Sequence, residues 1–201
     1  MSTKGSEMSR IYLASTSPRR VELLRSLGLE FSVLPVEVSE SYSTEESPRL
    51  YVQRMARQKA LQGAEGLTEG LVIAADTVVV IDDTVLGKPQ TRDDAARMLG
   101  LLQGKVHRVI SGVALCCART RRCLTDAEET EVKFAAMTDE EVQWYISTGE
   151  PLDKAGAYGV QGKGAVFIEW VRGSYSNVVG LPLRLLYLLA QQLGYPLTSA
   201  K

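Results

Sequence analysis

Hydrophobic residues in this chain fall into short runs of two kinds, and proline, glycine and capping residues mark the switches between them. Ile11-Tyr12-Leu13-Ala14 is an apolar run of strand character. From Pro18 the pattern changes: Val21, Leu23, Leu24 and Leu27 are apolar and Gly28 follows, which predicts a helix over 18–27. Residues 31–38 read as a strand with partial alternation and 39–46 as a polar loop. Ser47-Pro48 then opens a second helix that runs to about Leu61 and ends near Gly63. Leu71 to Ile81 is nearly all β-branched or small, as expected of a strand buried on both faces. Asp82-Asp83 predicts a turn, with Val85-Leu86 returning as a short hairpin strand.

Downstream, Thr91 caps a third helix that ends at Gln103-Gly104. Residues 106–118 and 122–136 read as two long strands joined by the basic turn Arg119-Thr120-Arg121. Thr138-Asp139-Glu140-Glu141 has the form of a capping box, opening a helix that stops at Gly149 before Pro151. A glycine-rich loop over 154–164 precedes a strand over 165–171, and Pro182 opens an apolar helix that closes near Gly194. Strands and helices are interleaved, with one long pair antiparallel. That predicts a mixed α/β sheet. Neither a glycine-rich dinucleotide fingerprint nor a Walker loop is present.

The 201 residues suit one large domain or two small lobes, and an apolar share of 45% with 23% charged residues is ordinary for a globular protein. A net charge of −1 provides no global basic field for nucleic acid or an anionic membrane, so attraction for a phosphorylated ligand must come from a local cluster of cations. No apolar run approaches a membrane span, and the polar residues Met1 to Arg10 do not form a secretory signal; a flexible tail over 1–9 is expected. Cys116, Cys117 and Cys123 match neither zinc-ligand spacing nor a disulfide framework and are expected as reduced thiols of a cytoplasmic protein. With His107 the single histidine, carboxylates and a hard divalent cation are the more natural hydrolytic machinery. His107 itself, between Lys105 and Arg108, reads as packed or solvent-facing.

Candidate chemistry collects in a few segments. Ser15-Thr16-Ser17-Pro18-Arg19-Arg20 follows the first strand, with Ser17 at an N-cap position and Pro18 opening the helix. Helix-start N–H groups, three hydroxyls and two guanidinium groups suit a polyphosphate, although the same pattern also fits an ordinary strand-to-helix turn. Asp76 lies within Val72 to Val80; a carboxylate there must be paired, hydrogen-bonded or metal-bound, or else reach the surface at a strand end. Lys88, in Gly87-Lys88-Pro89, reads alone as an exposed turn lysine. Glu37 and Lys59 are a strand-end carboxylate and a helix lysine of the kind that faces water. The run from Gly149 to Gly162 crowds glycines, acids, Lys154, Tyr158 and Gln161 into a long loop of functional character. Lys154 suits phosphate, and the Gln161 carboxamide offers a donor and an acceptor to a base edge. Gly173 to Asn177 reads as a polar turn.

Together, Ser15 to Arg20, Ala75-Asp76-Thr77, Gly87-Lys88-Pro89, Asp153 to Gly162 and Gly173 to Pro182 resemble the Maf family of nucleoside triphosphate pyrophosphatases, linked in bacteria to septum-formation inhibition. The resemblance spans Leu13 to Leu183. It implies a single Maf-like α/β domain over 10–201: an elongated mixed sheet with flanking helices and two lobes around a cleft, similar to inosine triphosphate pyrophosphatase. It further implies a cytoplasmic, often dimeric enzyme that needs Mg²⁺ or Mn²⁺. By motif position, Asp76 becomes the catalytic carboxylate and a metal ligand, with Glu37 a further acidic residue at the metal. Ser15, Ser17, Arg19, Arg20, Lys59, Lys88 and Lys154 become substrate contacts around the phosphates, and Gln161 a further substrate contact. Lys154 to Gly162 resembles the branch acting on dTTP and UTP, sometimes CTP. Two rival expectations share these residues: a nucleotide-sensing regulator of division without hydrolytic activity, and a phosphatase that removes the terminal phosphate.

Overall fold

The computed structural model describes residues 10–39, 41–43 and 45–197; the segment expected as a tail, residues 1–9, lies outside them. The expected mixed α/β architecture is present as one seven-stranded sheet. Its strands are β1 (Ile11–Leu13), β2 (Phe31–Val33), β3 (Leu71–Ile81), β4 (Thr84–Leu86), β5 (Val106–Cys117), β6 (Cys123–Phe134) and β7 (Ile168–Arg172). The order β2-β1-β3-β5-β6-β7, with β4 paired to β3, divides the sheet in two. β2, β1 and β3 are parallel, whereas β3, β5, β6 and β7 run antiparallel to their neighbours. Parallel strands need crossovers, and helices α1 (Pro18–Ser26) and α2 (Pro48–Ala64) provide them. Helices α3 (Arg92–Leu102), α4 (Asp139–Ser147), α5 (Tyr175–Val179) and α6 (Leu183–Gln192) complete the layers. No helix among the described residues is long and apolar enough to cross a membrane.

Side chains of β3 alternate between two cores. Val72 and Ala74 pack with Ala56, Ala60 and Ala64 of α2, and Val78 and Val80 with Val52 and Met55 of the same helix. On the opposite face, Leu71, Ile73 and Ala75 pack with Leu24 of α1 and Leu186 and Leu189 of α6. Val79 and Ile81 pack instead with Leu99 and Leu102 of α3 and Val142 and Tyr145 of α4. Asp76 and Thr77 fall between these clusters. The strand is therefore greasy at both ends and polar at its middle.

The position of α2 depends on a glycine. Gly112 of β5 is the register partner of Asp76, and a Cβ there would overlap the backbone of Val52 in α2. Its missing side chain lets the helix lie directly on the sheet. α2 then carries Lys59 over the middle of β3.

Several boundaries differ from the sequence expectation for identifiable reasons. The strand expected over 31–38 stops pairing at Val33, because its only neighbour, β1, turns away after Leu13. The strand expected from 165 begins at Ile168, since residues 162–167 form a 3₁₀ turn whose first N–H groups go to a side chain. The stretch Gly173 to Asn177, read as a turn, leads into the short helix α5, Tyr175–Val179, with the Ser174 hydroxyl accepting from the Asn177 N–H at 3.2 Å. Cys116 and Cys123 are bonded as a disulfide, not reduced thiols; spacing along the chain hides that they are directly opposed on β5 and β6. Cys117, on the other face, is free and buried.

Replacing Gly112 with alanine forces α2 off the sheet. We expect Gly112→Ala to lose about 2–3 kcal/mol in urea unfolding, as an overpacked core site does. An unchanged midpoint would show that α2 does not rest on this contact.

Candidate active site

The cleft opens at a gap in the sheet. β1 pairs with Leu71 to Ile73 of β3, and β4 pairs with Val79 to Ile81 on the same edge. Ala74 to Val78 therefore have no strand neighbour on that side. Into this gap the chain after β1 brings Ser15 and Ser17, and the chain after β4 brings Lys88. The segment after β2 adds Glu37, α2 adds Lys59, and the glycine-rich loop adds Lys154 and Gln161. All ten residues singled out from the sequence line one cleft of about 650 Å³: Ser15, Ser17, Arg19, Arg20, Glu37, Lys59, Asp76, Lys88, Lys154 and Gln161.

Asp76 is the polar floor of the cleft. Its residue is 7% exposed, and its Oδ1 accepts from the Lys59 ammonium at 2.6 Å. Oδ2 accepts no hydrogen bond among the described residues, which leaves one carboxylate oxygen for a ligand. Lys59, far from facing water, is itself largely buried beside Asp76. Removing Lys59 would strand the buried Asp76 charge at a cost of about 3–5 kcal/mol.

Arg19 and Arg20 have separate environments despite being adjacent. Arg20 is built into the wall: its guanidinium donates to the Gly180 carbonyl at 2.8 Å, the Thr77 hydroxyl at 3.1 Å and the Ser15 hydroxyl at 3.4 Å. Thr77 lies 2.8 Å from the Ser111 hydroxyl, which donates to the Asn177 carbonyl, so this brace continues across the sheet. Arg19 instead reaches across the cleft to Asp153, Nη1 to Oδ2 at 2.8 Å. Lys154 donates to the other oxygen of Asp153 at 2.6 Å and to the Glu150 carbonyl at 2.6 Å. Burial raises the Asp153 pKa, but hydrogen bonds from Lys154 and Arg19 outweigh it and hold the carboxyl below its usual range. Lys88 is exposed and has no side-chain partner among the described residues.

Ser17 departs from its expected role. It occupies the N-cap position of α1, yet its side chain makes no capping bond; its own N–H donates to the Ser15 hydroxyl at 3.2 Å. The Ser17 hydroxyl and the first-turn N–H groups of α1 thus remain available beside the two arginines. Such a helix start, rimmed by cations, is complementary to an oxyanion.

A family model described as Maf-like protein matches residues 10–193. This chain belongs to the Maf family. Curated relatives named dTTP/UTP pyrophosphatase cover nearly the whole Maf chain: one from Symbiobacterium thermophilum is 47% identical, over 94% of this chain and 97% of its own. Others come from Anaeromyxobacter dehalogenans, 50% identical over 94% and 96%, and Thermococcus onnurineus, 48% identical over 92% and 98%. Among solved structures, a Staphylococcus aureus Ham1 protein is 15% identical, covers 79% of each chain and has a TM-score of 0.48.

The donor set of the Maf cleft constrains any metal. Among the described residues no group of three or more histidine, cysteine, aspartate or glutamate side chains converges as a resident cage. Mg²⁺, however, is commonly held by one or two carboxylates together with substrate phosphates and water. Asp76, with its unused oxygen, and the exposed Glu37 on the same cleft fit that mode of binding.

Sequence reasoning gave no separate role to Glu150, Asp153 or Tyr158, which it met only as members of the glycine-rich loop. The Arg19 partner of Asp153 lies 134 residues away, and two of the three Glu150 partners are backbone N–H groups. Tyr158 lines the cleft and its hydroxyl lies 2.7 Å from His107 Nε2. Of the two readings of His107, packed or solvent-facing, the packed one holds: it lies against Phe134 and Tyr158, and its Nδ1 has no hydrogen-bond partner among the described residues. Burial drives its pKa from 6.5 down to about 4.

Two outcomes follow from these environments. Asp153→Asn frees Arg19 and Lys154 from their internal anion, so inorganic pyrophosphate should bind about two- to fivefold tighter by calorimetry, less so at high salt. Weaker binding would mean that Asp153 orders these cations instead of competing for them. For His107, the unfolded chain binds a proton near pH 6.5 that the folded chain refuses until about pH 4. Stability therefore falls as pH drops through that window, by about 2 kcal/mol between pH 7 and pH 4.5. His107→Gln should flatten this part of the stability–pH curve, and identical slopes would sink the assignment.

Proposed function

We propose that this chain hydrolyses dTTP and UTP between the α- and β-phosphates, releasing the nucleoside monophosphate and pyrophosphate. The observation that carries the reading is the buried Asp76–Lys59 pair, set at the floor of a cleft ringed by Arg19, Arg20, Lys88 and Lys154. Four cations around one carboxylate suit a polyanion whose reacting phosphorus must meet both positive charge and a base. The names of the relatives that cover more than nine tenths of the chain support the same substrates.

In this reading Lys88 and Arg19 neutralise the β- and γ-phosphates as they leave. Arg20 adds charge from a position fixed by Gly180, Thr77 and Ser15. Ser15 and Ser17 donate near the helix start. Lys59 engages one oxygen of Asp76 and leaves the second to the cleft. Asp76 orients the attacking water and accepts its proton, the step for which a positioned base is worth most. A divalent cation, Mg²⁺ or Mn²⁺, held by Asp76 and Glu37, would supply Lewis-acid neutralisation of the phosphates. Gln161 reads the base edge, where uracil and thymine present a carbonyl beside an N–H, the complement of a carboxamide. The proposal includes a cytoplasmic homodimer, as the family resemblance implies.

Hydrolysis of dTTP with and without Mg²⁺ tests this directly. Pyrophosphate as the product supports it; inorganic phosphate would mark cleavage of the terminal bond, and no product would leave a nucleotide sensor. Asp76→Asn should retain dTTP binding and lose about 10²- to 10⁴-fold in kcat. Near-normal turnover by that variant would overturn the role given to Asp76.

A further inference from the structure

The segment that carries Gln161 has no ladder to hold it. Between α4 and β7 the chain makes three short 3₁₀ turns, at Glu150–Asp153, Ala155–Ala157 and Gly162–Phe167. Its shape is fixed by one carboxylate. Glu150 Oε1 accepts from the Tyr145 hydroxyl at 2.9 Å and from the Gly164 N–H at 3.0 Å, while Oε2 accepts from the Lys163 N–H at 2.9 Å. The Tyr145 hydroxyl in turn accepts from the Gly159 N–H at 3.1 Å. At Gly162 the φ is +77°, and a Cβ would come within 2.7 Å of Oε2, so only glycine passes this close to the carboxylate.

These bonds clamp the chain on both sides of Gln161, at Gly159 before it and at Lys163 and Gly164 after it. Gln161 itself is exposed to the cleft, and its carboxamide has no partner among the described residues. Burial raises the Glu150 pKa, but the N–H groups of Lys163 and Gly164 outweigh it and favour the ionised form. An ionised carboxylate is required here, since all three of its partners are donors.

We propose that Glu150 is a positioning residue for base selection: with Tyr145 it holds the backbone from Gly159 to Gly164 so that the Gln161 carboxamide meets the base at a fixed orientation. Glu150 touches neither substrate nor reacting atoms. This rests on the reading of Gln161 as the base contact. Discrimination between bases needs such a second layer, because a donor–acceptor pair on a wandering loop satisfies several base edges about equally.

The test compares kcat/KM for dTTP and GTP in the wild type, Glu150→Gln, Gln161→Ala and the double variant. Glu150→Gln keeps the size of the side chain and sets an amide NH₂ against a donor of the loop. It should lower the dTTP-over-GTP preference about tenfold, mainly through KM for dTTP. In the Gln161→Ala background it should produce no further loss, because the residue acts through Gln161. Tyr145→Phe, which keeps the carboxylate on the loop N–H groups, should shift the preference the same way by a smaller factor and serves if Glu150→Gln does not fold. A shift with Gln161→Ala but none with Glu150→Gln or Tyr145→Phe, or effects that multiply in the double variant, would overturn the proposal and leave Gln161 as the base contact. An unchanged preference in Gln161→Ala would remove the base reading, and the role of Glu150 with it.

Discussion

Asp76 interrupts eleven residues of central strand that otherwise carry no charge, and the fold accommodates it by opening the sheet beside it and laying a lysine on top. A bare carboxylate in such a strand would cost several kcal/mol. The Lys59 ammonium offsets that cost, and the missing ladder between the ends of β1 and β4 lets the second carboxylate oxygen face a cleft. The arrangement needs α2 close to the sheet, which the absent side chain of Gly112 permits on the adjacent strand. One polar residue thus sets the sheet edge, the helix position and the floor of the site.

Around that floor, positive charge is held apart by internal anions. Asp153 bridges Arg19 and Lys154, and Asp76 engages Lys59, while Arg20 is fixed by neutral oxygens. A cleft of unpaired cations would repel itself and destabilise the closed wall. Asp153 holds Arg19 and Lys154 on one carboxylate in the cleft; under the proposed function a phosphate oxygen would take its place there, while Asp76 stays on Lys59.

The same economy governs the loop over the cleft. Lacking a strand ladder, it satisfies the N–H groups of Gly159, Lys163 and Gly164 on Tyr145 and Glu150, and it rests on the sheet through the Gly156 N–H to the Gly87 carbonyl at 3.0 Å. That last bond ties the Gln161 segment to the turn bearing Lys88. The segment proposed to meet the base and the turn proposed to meet phosphate are therefore linked through backbone.

Local pattern was enough to determine the longer helices and the long strands, because 3.6-residue and two-residue periodicities and the proline and threonine caps are written within each element; the five-residue α5 is too short to show such a period. It also marked Asp76, Arg19 and Arg20, since a carboxylate amid valines or two arginines at a helix start conflicts with its immediate surroundings; Glu37, Lys59 and Lys88 look ordinary in theirs and were marked only by the family resemblance. What the pattern could not contain was distance between remote segments. That Lys59 faces Asp76, that Arg19 meets an acid 134 residues later, and that Cys116 sits opposite Cys123 are consequences of strand order and register. Glu150 was silent for a related reason: two of its three partners are backbone N–H groups, which every residue except proline possesses and no sequence distinguishes. The gap in the sheet was equally unreadable, because an unpaired edge is made by where two other strands stop. Only the assembled fold decided which charges share a cleft.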